Sequence, residues 1–266
     1  MPNNENSGIL IYAQLTREEY IHTVFFELVD KAKELAQKLG ESEVKAVLIS
    51  RPHLIDSFKE SFQNMGLSKV YYFESEELKE YSTEYHSKLI VDLVQNIKPE
   101  ILLIGATNQG RDLAPRVASA LGTGLTADCT GLDINEKGQL AATRPTFGGQ
   151  LMATILCKNY PQMATVRPNV FKVNSVSDKA NTEFIPCPAN IIGMKKHVQL
   201  LSFQRTVENV INDLDSAEII VAGGKGLKNS KGFELLKDFA DSLGGTIAAT
   251  RGAVEMGLAT PTIQVG

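Results

Sequence analysis

Few residues in this chain of 266 have the spacing that acid–base or nucleophilic chemistry needs. Cys129, Cys157 and Cys187 stand far apart with no CxxC pair. That spacing supports neither a zinc site nor a disulfide framework and reads as buried or half-buried thiols. His22, His53, His86 and His197 are equally dispersed. His22 and His86 fall in stretches that read as helix, without metal-type spacing such as HExxH, and a solvated or capping role is expected for each. The groups that could hold a ligand are glycines and arginines. Gly105-Ala106-Thr107-Asn108-Gln109-Gly110-Arg111-Asp112 follows an apolar run and leads into a helix. Its two glycines permit close backbone approach and a helix N-terminus favours an anion, though loop geometry alone would ask for the same glycines. Arg144 and Arg167 each precede a proline at what reads as a strand end, and proline holds its predecessor extended, which aims the side chain. Gly223-Gly224-Lys225-Gly226 is a glycine turn between a strand and a helix, the mechanical requirement for cradling a nucleotide phosphate, but without GxGxxG or Walker spacing.

The elements that must position these groups are legible from hydropathy. Residues 8–13, 45–50, 69–73 and 101–104 read as buried strands. Between them the apolar positions recur with helical period from Tyr20 to Leu39, His53 to Met65 and Tyr81 to Asn96, with Gly40 and Gly66 as stops. Thr16 and Glu19 have the spacing of a capping box for the first helix. Strands alternating with helices predict an α/β fold, a Rossmann-like parallel sheet covered on both faces. A further helix should run to Leu121, with Pro115 in its first turn, because deeper it would remove a hydrogen bond and clash. From Gly124 to Phe171 dense turn signals separate candidate strands at 130–134, 139–143, 150–157 and 162–166, predicting a meander added to the parallel sheet. The polar stretch 173–190 suits a boundary or an edge, and 198–207 reads as another strand. A fresh α/β unit starts near Ser216, with strands at 219–222 and 246–249 flanking a helix from Ser230 to Leu243. The expected division is 1–195 for an N-terminal α/β domain and 196–266 for the start of a second, Rossmann-like domain.

Composition narrows the class. Hydrophobic residues are 43% and charged residues 22%, and the net charge is −4, so the chain is globular and lacks the basic footprint of a nucleic-acid binder. No apolar run approaches the roughly 20 residues of a membrane helix, and MPNNENSG does not read as a secretory signal. A cytoplasmic protein is expected, with no membrane insertion.

The chain resembles the α (large) subunit of electron-transfer flavoproteins. The likeness is carried by Gly110-Arg111-Asp112-Leu113-Ala114-Pro115-Arg116-Val117-Ala118, Thr123-Gly124-Leu125-Thr126-Ala127-Asp128-Cys129-Thr130, Arg144-Pro145-Thr146-Phe147-Gly148-Gly149 and Gln162-Met163-Ala164-Thr165-Val166-Arg167-Pro168. These segments are similar to the anaerobic-bacterial form, which includes electron-bifurcating members. The resemblance implies a heterodimer with a β subunit, the N-terminal domain packing against β and the C-terminal domain holding FAD. It implies passage of electrons from NADH or a dehydrogenase to an acyl-CoA-dehydrogenase-type flavin partner: an electron carrier rather than a stand-alone enzyme. A second FAD or an AMP is expected on the β subunit.

Within the FAD domain, Gly223-Gly224-Lys225-Gly226 is similar to the family's Gly-Gly-Arg-Gly turn, with lysine keeping the charge but losing the planar fork. Thr250-Arg251 corresponds to the family's Ser-Arg pair, a hydroxyl for the flavin and a guanidinium to stack on or charge-stabilise its ring. Val265 and Gly266 begin the family's next flavin loop. The later family contacts do not follow, so the α-site FAD is expected to be held weakly or not at all. In the N-terminal domain Arg144, with Thr126 and Asp128, is expected to face the flavin of the β subunit, where positive charge tunes its electronics; for Arg144, pairing with an interface carboxylate is the other reading. The alternative for the whole chain is a scaffold subunit that has lost the α-site FAD.

Overall fold

The computed structural model describes residues 6–173, 180–203, 214 and 217–265. It divides into two compact units, 1–199 and 200–266.

The first unit is built on a seven-stranded sheet in which every pairing is parallel. Its strands are β1 (Ile9–Ala13), β2 (Val44–Ser50), β3 (Lys69–Glu74), β4 (Ile101–Gly105), β5 (Leu125–Cys129), β9 (Gln162–Val166) and β10 (Glu183–Cys187), in the spatial order β10-β3-β2-β1-β4-β9-β5. β1, β2, β4 and β9 are buried along their whole length, which is why β1, β2 and β4 read as apolar runs rather than alternating patterns. Alternate side chains feed two cores. Ile9, Ile11, Ala46 and Leu103 pack with Val24, Phe25 and Leu28 of α1 (Val24–Lys38) and Phe62 of α2 (Lys59–Asn64). Leu10, Tyr12, Val47 and Leu102 pack with Leu89 and Ile90 of α3 (Thr83–Ile97) and with Leu113 and Val117 of α4 (Asn108–Leu121). Each such side chain taken from water contributes about 1.5–3 kcal/mol before chain entropy is subtracted.

Several expectations are corrected. Thr16 and Glu19 do not cap a helix. Thr16 N–H donates to the Tyr20 carbonyl at 2.7 Å and Glu19 N–H to the Thr16 carbonyl at 3.0 Å, closing a turn whose arms meet at a Leu15–Ile21 bridge. Glu19 spends its carboxylate on Arg51, with Nε and Nη2 at 2.5 and 2.7 Å. α1 starts only at Val24, whose N–H donates to His22 Nδ1 at 3.3 Å, so His22 has its capping role without being helical. His86 is buried in α3 rather than solvated. The expected helix 53–65 is broken into a 3-10 turn, Ile55–Ser57, and α2.

α4 begins seven residues before Pro115, with the Thr107 hydroxyl accepting the Gly110 N–H at 3.0 Å as its cap. Pro115 therefore sits inside the helix, on its exposed side, where the Arg111 carbonyl left without an N–H partner can reach water. Gly110 lies so close to β4 that a Cβ there would fall 1.8 Å from the Gly105 carbonyl oxygen. The missing side chain of Gly110 lets α4 descend onto the strand end, and that of Gly105 makes room for Val24 of α1, whose Cγ1 would lie 2.4 Å from a Cβ there.

The meander is a separate antiparallel sheet of β6 (Gly131–Ile134), β7 (Leu140–Thr146) and β8 (Leu151–Leu156). Residues 162–166 are not part of it but form β9, between β4 and β5. β5, unread in the sequence, closes one edge and carries a register shift between Thr126 and Cys129. β10 closes the other edge, with Pro186 opposite Tyr72. The expected strand at 198–207 is absent over 198–203, and its remainder lies outside the described residues.

The second unit has a parallel sheet of β11 (Ile220–Gly223), β12 (Thr246–Thr250) and β13 (Gln264–Val265) in that order. The third strand is one more than was read in the sequence. Helix Ser230–Ser242, capped by Asn229 accepting the Gly232 N–H at 3.1 Å, and the short helix Arg251–Glu255 flank it. Phe233, Ala249, Ala253 and Ile263 form its core.

Candidate functional site

Two groups of residues gather at carboxyl ends of parallel strands, where open α/β sheets collect ligands. In the first unit the ends of β5 and β9, with α4 and β7, enclose a cleft of about 250 Å³ lined by Arg111, Pro115, Leu125, Ala127, Asp128, Arg144 and Thr165. The register shift in β5 puts Asp128 in the left-handed region, φ 60°. Its N–H, released from the ladder, donates to Thr165 Oγ1 at 2.8 Å. The carboxylate receives Arg167 through Nη2 at 2.6 Å and Nε at 3.3 Å, and Arg111 Nη2 at 3.2 Å. The Arg167 hydrogen bond, then the charges of Arg167, Arg111 and Arg144, hold Asp128 below the usual carboxylate range against the opposing effect of burial.

One carboxylate thus stands among three guanidinium groups. Arg144 lies within β7 rather than at a strand end, and its Nε is buried with no hydrogen-bond partner among the described residues. A buried charged donor without a partner is costly; a negatively charged ligand in the cleft would remove that cost. Of the residues expected to share this site, Arg144 and Asp128 line the cleft, whereas Thr126 is 4% exposed and does not. The sequence places Arg111 in a loop before a helix and Arg167 before a proline that aims it, and assigns neither to Asp128; the structure brings both onto that carboxylate. Burial pushes the neighbouring Cys129 thiol up to about 12, which keeps it protonated at neutral pH.

In the second unit Lys225, Thr250, Arg251 and Val265 meet at the carboxyl rim of β11-β12-β13. Thr250 pairs with Val265, a Cβ on Gly224 would lie 3.5 Å from Thr250 Oγ1, and one on Gly252 would lie 3.8 Å from Lys225 Cδ. Lys225, Thr250 and Arg251 are exposed, and Arg251 Nε donates to Glu255 at 2.8 Å. Gly266 lies outside the described residues. Two cations and a hydroxyl beside a glycine turn form a donor set suited to a pyrophosphate, so these residues fit a dinucleotide such as FAD.

Fold and rim together define a two-unit α/β protein of the nucleotide-cofactor class. The electron transfer flavoprotein domain model matches residues 9–190, and the electron transfer flavoprotein FAD-binding domain model matches residues 213–266. The chain is 43% identical over 264 residues to electron transfer flavoprotein subunit alpha of Thermoanaerobacterium thermosaccharolyticum, covering 99% of this chain and 78% of that one. It is 42% identical over 274 residues to the same subunit of Clostridium acetobutylicum, covering 100% and 79%. To lactate dehydrogenase (NAD(+),ferredoxin) subunit LctC of Acetobacterium woodii it is 37% identical over 261 residues, covering 97% and 61%. The chain belongs to the electron-transfer flavoprotein α-subunit family. Among the described residues, no helix is long and apolar enough to cross a membrane.

Proposed function

We propose that this chain is the α half of a two-chain electron carrier, holding FAD at the rim of its second unit and presenting Arg144 to a flavin carried by a β subunit. The observation that carries the reading is the arrangement of the two rims, each with more guanidinium or ammonium groups than nearby carboxylates can neutralise. Lys225 and Arg251 would hold the FAD phosphates and ring edge, with Thr250 as hydroxyl partner. FAD, when bound, supplies one- and two-electron redox chemistry that no side chain here can provide. The protein's own part is to bind, to orient and to set the local charge. In the first unit, Asp128 holds Arg111 and Arg167 by hydrogen bonds and offsets one of their two charges, and Arg144, which makes no bond to it, remains as the cation available to a ligand.

The partner surface follows from the antiparallel sheet that carries Arg144. Phe147, Leu151, Met152, Ile155 and Leu156 are exposed there, Phe147 at 80%, a concentration of apolar side chains that favours burial against another chain. The relative from A. woodii has NAD(+) and ferredoxin in its name, which supports bifurcating chemistry between a nicotinamide and a low-potential acceptor for this chain too.

The test is co-expression with the β subunit, flavin quantitation and titration of the flavin-stripped complex with FAD. A yellow complex is expected, and Lys225→Ala and Arg251→Ala are each expected to weaken FAD binding about tenfold or more, the loss of one charge-assisted contact. The same titration reads how tightly the second unit holds its FAD. Arg144→Ala should lower the midpoint potential of one flavin, because a nearby cation favours the more negative, reduced ring. A colourless complex, or potentials indifferent to Arg144, would overturn the reading.

A further inference from the structure

Glu27 is a carboxylate 3% exposed near the start of α1. Its oxygens accept three successive backbone N–H groups, those of Asn169, Val170 and Phe171, at 3.0, 3.1 and 3.1 Å. One turn further along α1, Lys31 Nζ stands 5.3 Å from the centre of the Phe171 ring. The segment so gripped follows directly on β9 and contains Asn169 at φ 62°. A buried carboxylate is tolerated only when hydrogen-bonded, and here three consecutive amides of one loop do that work.

The loop begins at Arg167. Its N–H donates to the Cys129 carbonyl at 3.0 Å, and its guanidinium takes both Asp128 oxygens. Were the loop to loosen, Asp128 would keep Arg111 and find Arg144 as the other cation in its field. We propose that Glu27 is a positioning residue for the cleft: by gripping residues 169–171 it keeps Arg167 on Asp128, and so leaves the Arg144 guanidinium uncompensated toward the flavin of the partner. This rests on the reading above in which Arg144 faces that flavin.

The test uses the complex with the β subunit and four variants: Glu27→Gln, Asp128→Asn, their combination, and Arg144→Ala. Glu27→Gln keeps the shape but loses the charge and turns an amide NH2, a donor, toward the loop N–H groups. Hydrogen exchange at 169–171 is expected to accelerate at least about tenfold, as for the loss of one charged hydrogen bond. The potential of the flavin that responds to Arg144→Ala is expected to fall in the same direction. In the Asp128→Asn background, Glu27→Gln is expected to leave that potential where Asp128→Asn alone puts it, because the carboxylate that would turn to Arg144 is gone; a merely structural role would not produce this rescue. If Arg144→Ala shifts the potential and Glu27→Gln does not, the positioning role is wrong. If Arg144→Ala itself has no effect, the cleft reading fails and takes this inference with it. Should Glu27→Gln not accumulate as folded complex, Glu27→Asp, shorter by one methylene, is read by the same two measurements.

Discussion

The ring of His86 stands edge-on to that of Tyr12, their centres 6.4 Å apart and their planes at 88°, with both side chains nearly sealed from solvent. His86 Nδ1 lies 3.0 Å from the Ser82 carbonyl, so the neutral ring donates there. Tyr12 accepts Gln109 Nε2 at 2.8 Å, at the start of α4. The pair ties β1 to the two helices that cover it.

Burial drives His86 from 6.5 down to about 4, with the Ser82 carbonyl opposing and the Lys196 charge adding to the fall. The unfolded chain takes up this proton below about pH 6.5 and the folded chain only near 4, so stability present above 6.5 drains between those values. The span corresponds to about 3 kcal/mol. Urea unfolding at pH 7.5 and 4.5 should show a smaller loss for His86→Gln than for the parent chain; equal losses would mean that the site does not exclude the proton.

Asp128 contributes in a different window. Its folded value is depressed by Arg167 first, so its contribution is present above the unfolded value near 4 and disappears as the pH falls through the folded one. The partners are partly exposed, with 45% and 25% of the two side chains accessible, and water screens the pair. Asp128→Asn should therefore cost only about 1 kcal/mol at neutral pH. Its unfolding midpoint should converge on that of the parent chain once the pH has fallen through the depressed folded value.

Gly110→Ala should be among the most damaging single-methyl additions in the first unit. The new carbon would press on backbone rather than on a flexible side chain, and α4 must move off β4. A loss of about 3 kcal/mol is expected from overpacking of this kind, read as a lower melting temperature and as loss of the Gln109–Tyr12 contact.

Pro115→Ala should act in the opposite sense. An exposed helix position is relieved of a residue that costs about 3 kcal/mol in a helix interior, of which part is already relaxed in the native helix. A gain of about 1–2 kcal/mol is expected. If stability rises while the flavin potential of the complex shifts, the proline serves the cleft that it lines.

The four strands that lead the chain are readable because each contains at least four consecutive apolar residues, and three of them, β1, β2 and β4, are buried on both faces. β5 was not, since Leu-Thr-Ala-Asp-Cys carries two polar residues and a register shift that only its pairing with β9 reveals. β9 looked like a fourth meander strand because adjacency in sequence is the only neighbour a sequence offers; its partners are β4, some sixty residues earlier, and β5. Proline after arginine did point to Arg144 and Arg167, because that rule is local. Arg111 and Glu27 left no comparable sign: one looked like loop, the other like an ordinary helix-start acid, and both act on residues distant in the chain.

The two borders of the seven-stranded sheet have a consequence for assembly. Pro186 withholds a donor from the outer side of β10, and the bulge at Asp128 bends β5 out of register. Neither border offers the straight row of amides and carbonyls that would template an eighth strand. The sheet is a plank of fixed width, so among the described residues its two borders give copies of this chain no template for pairing through it.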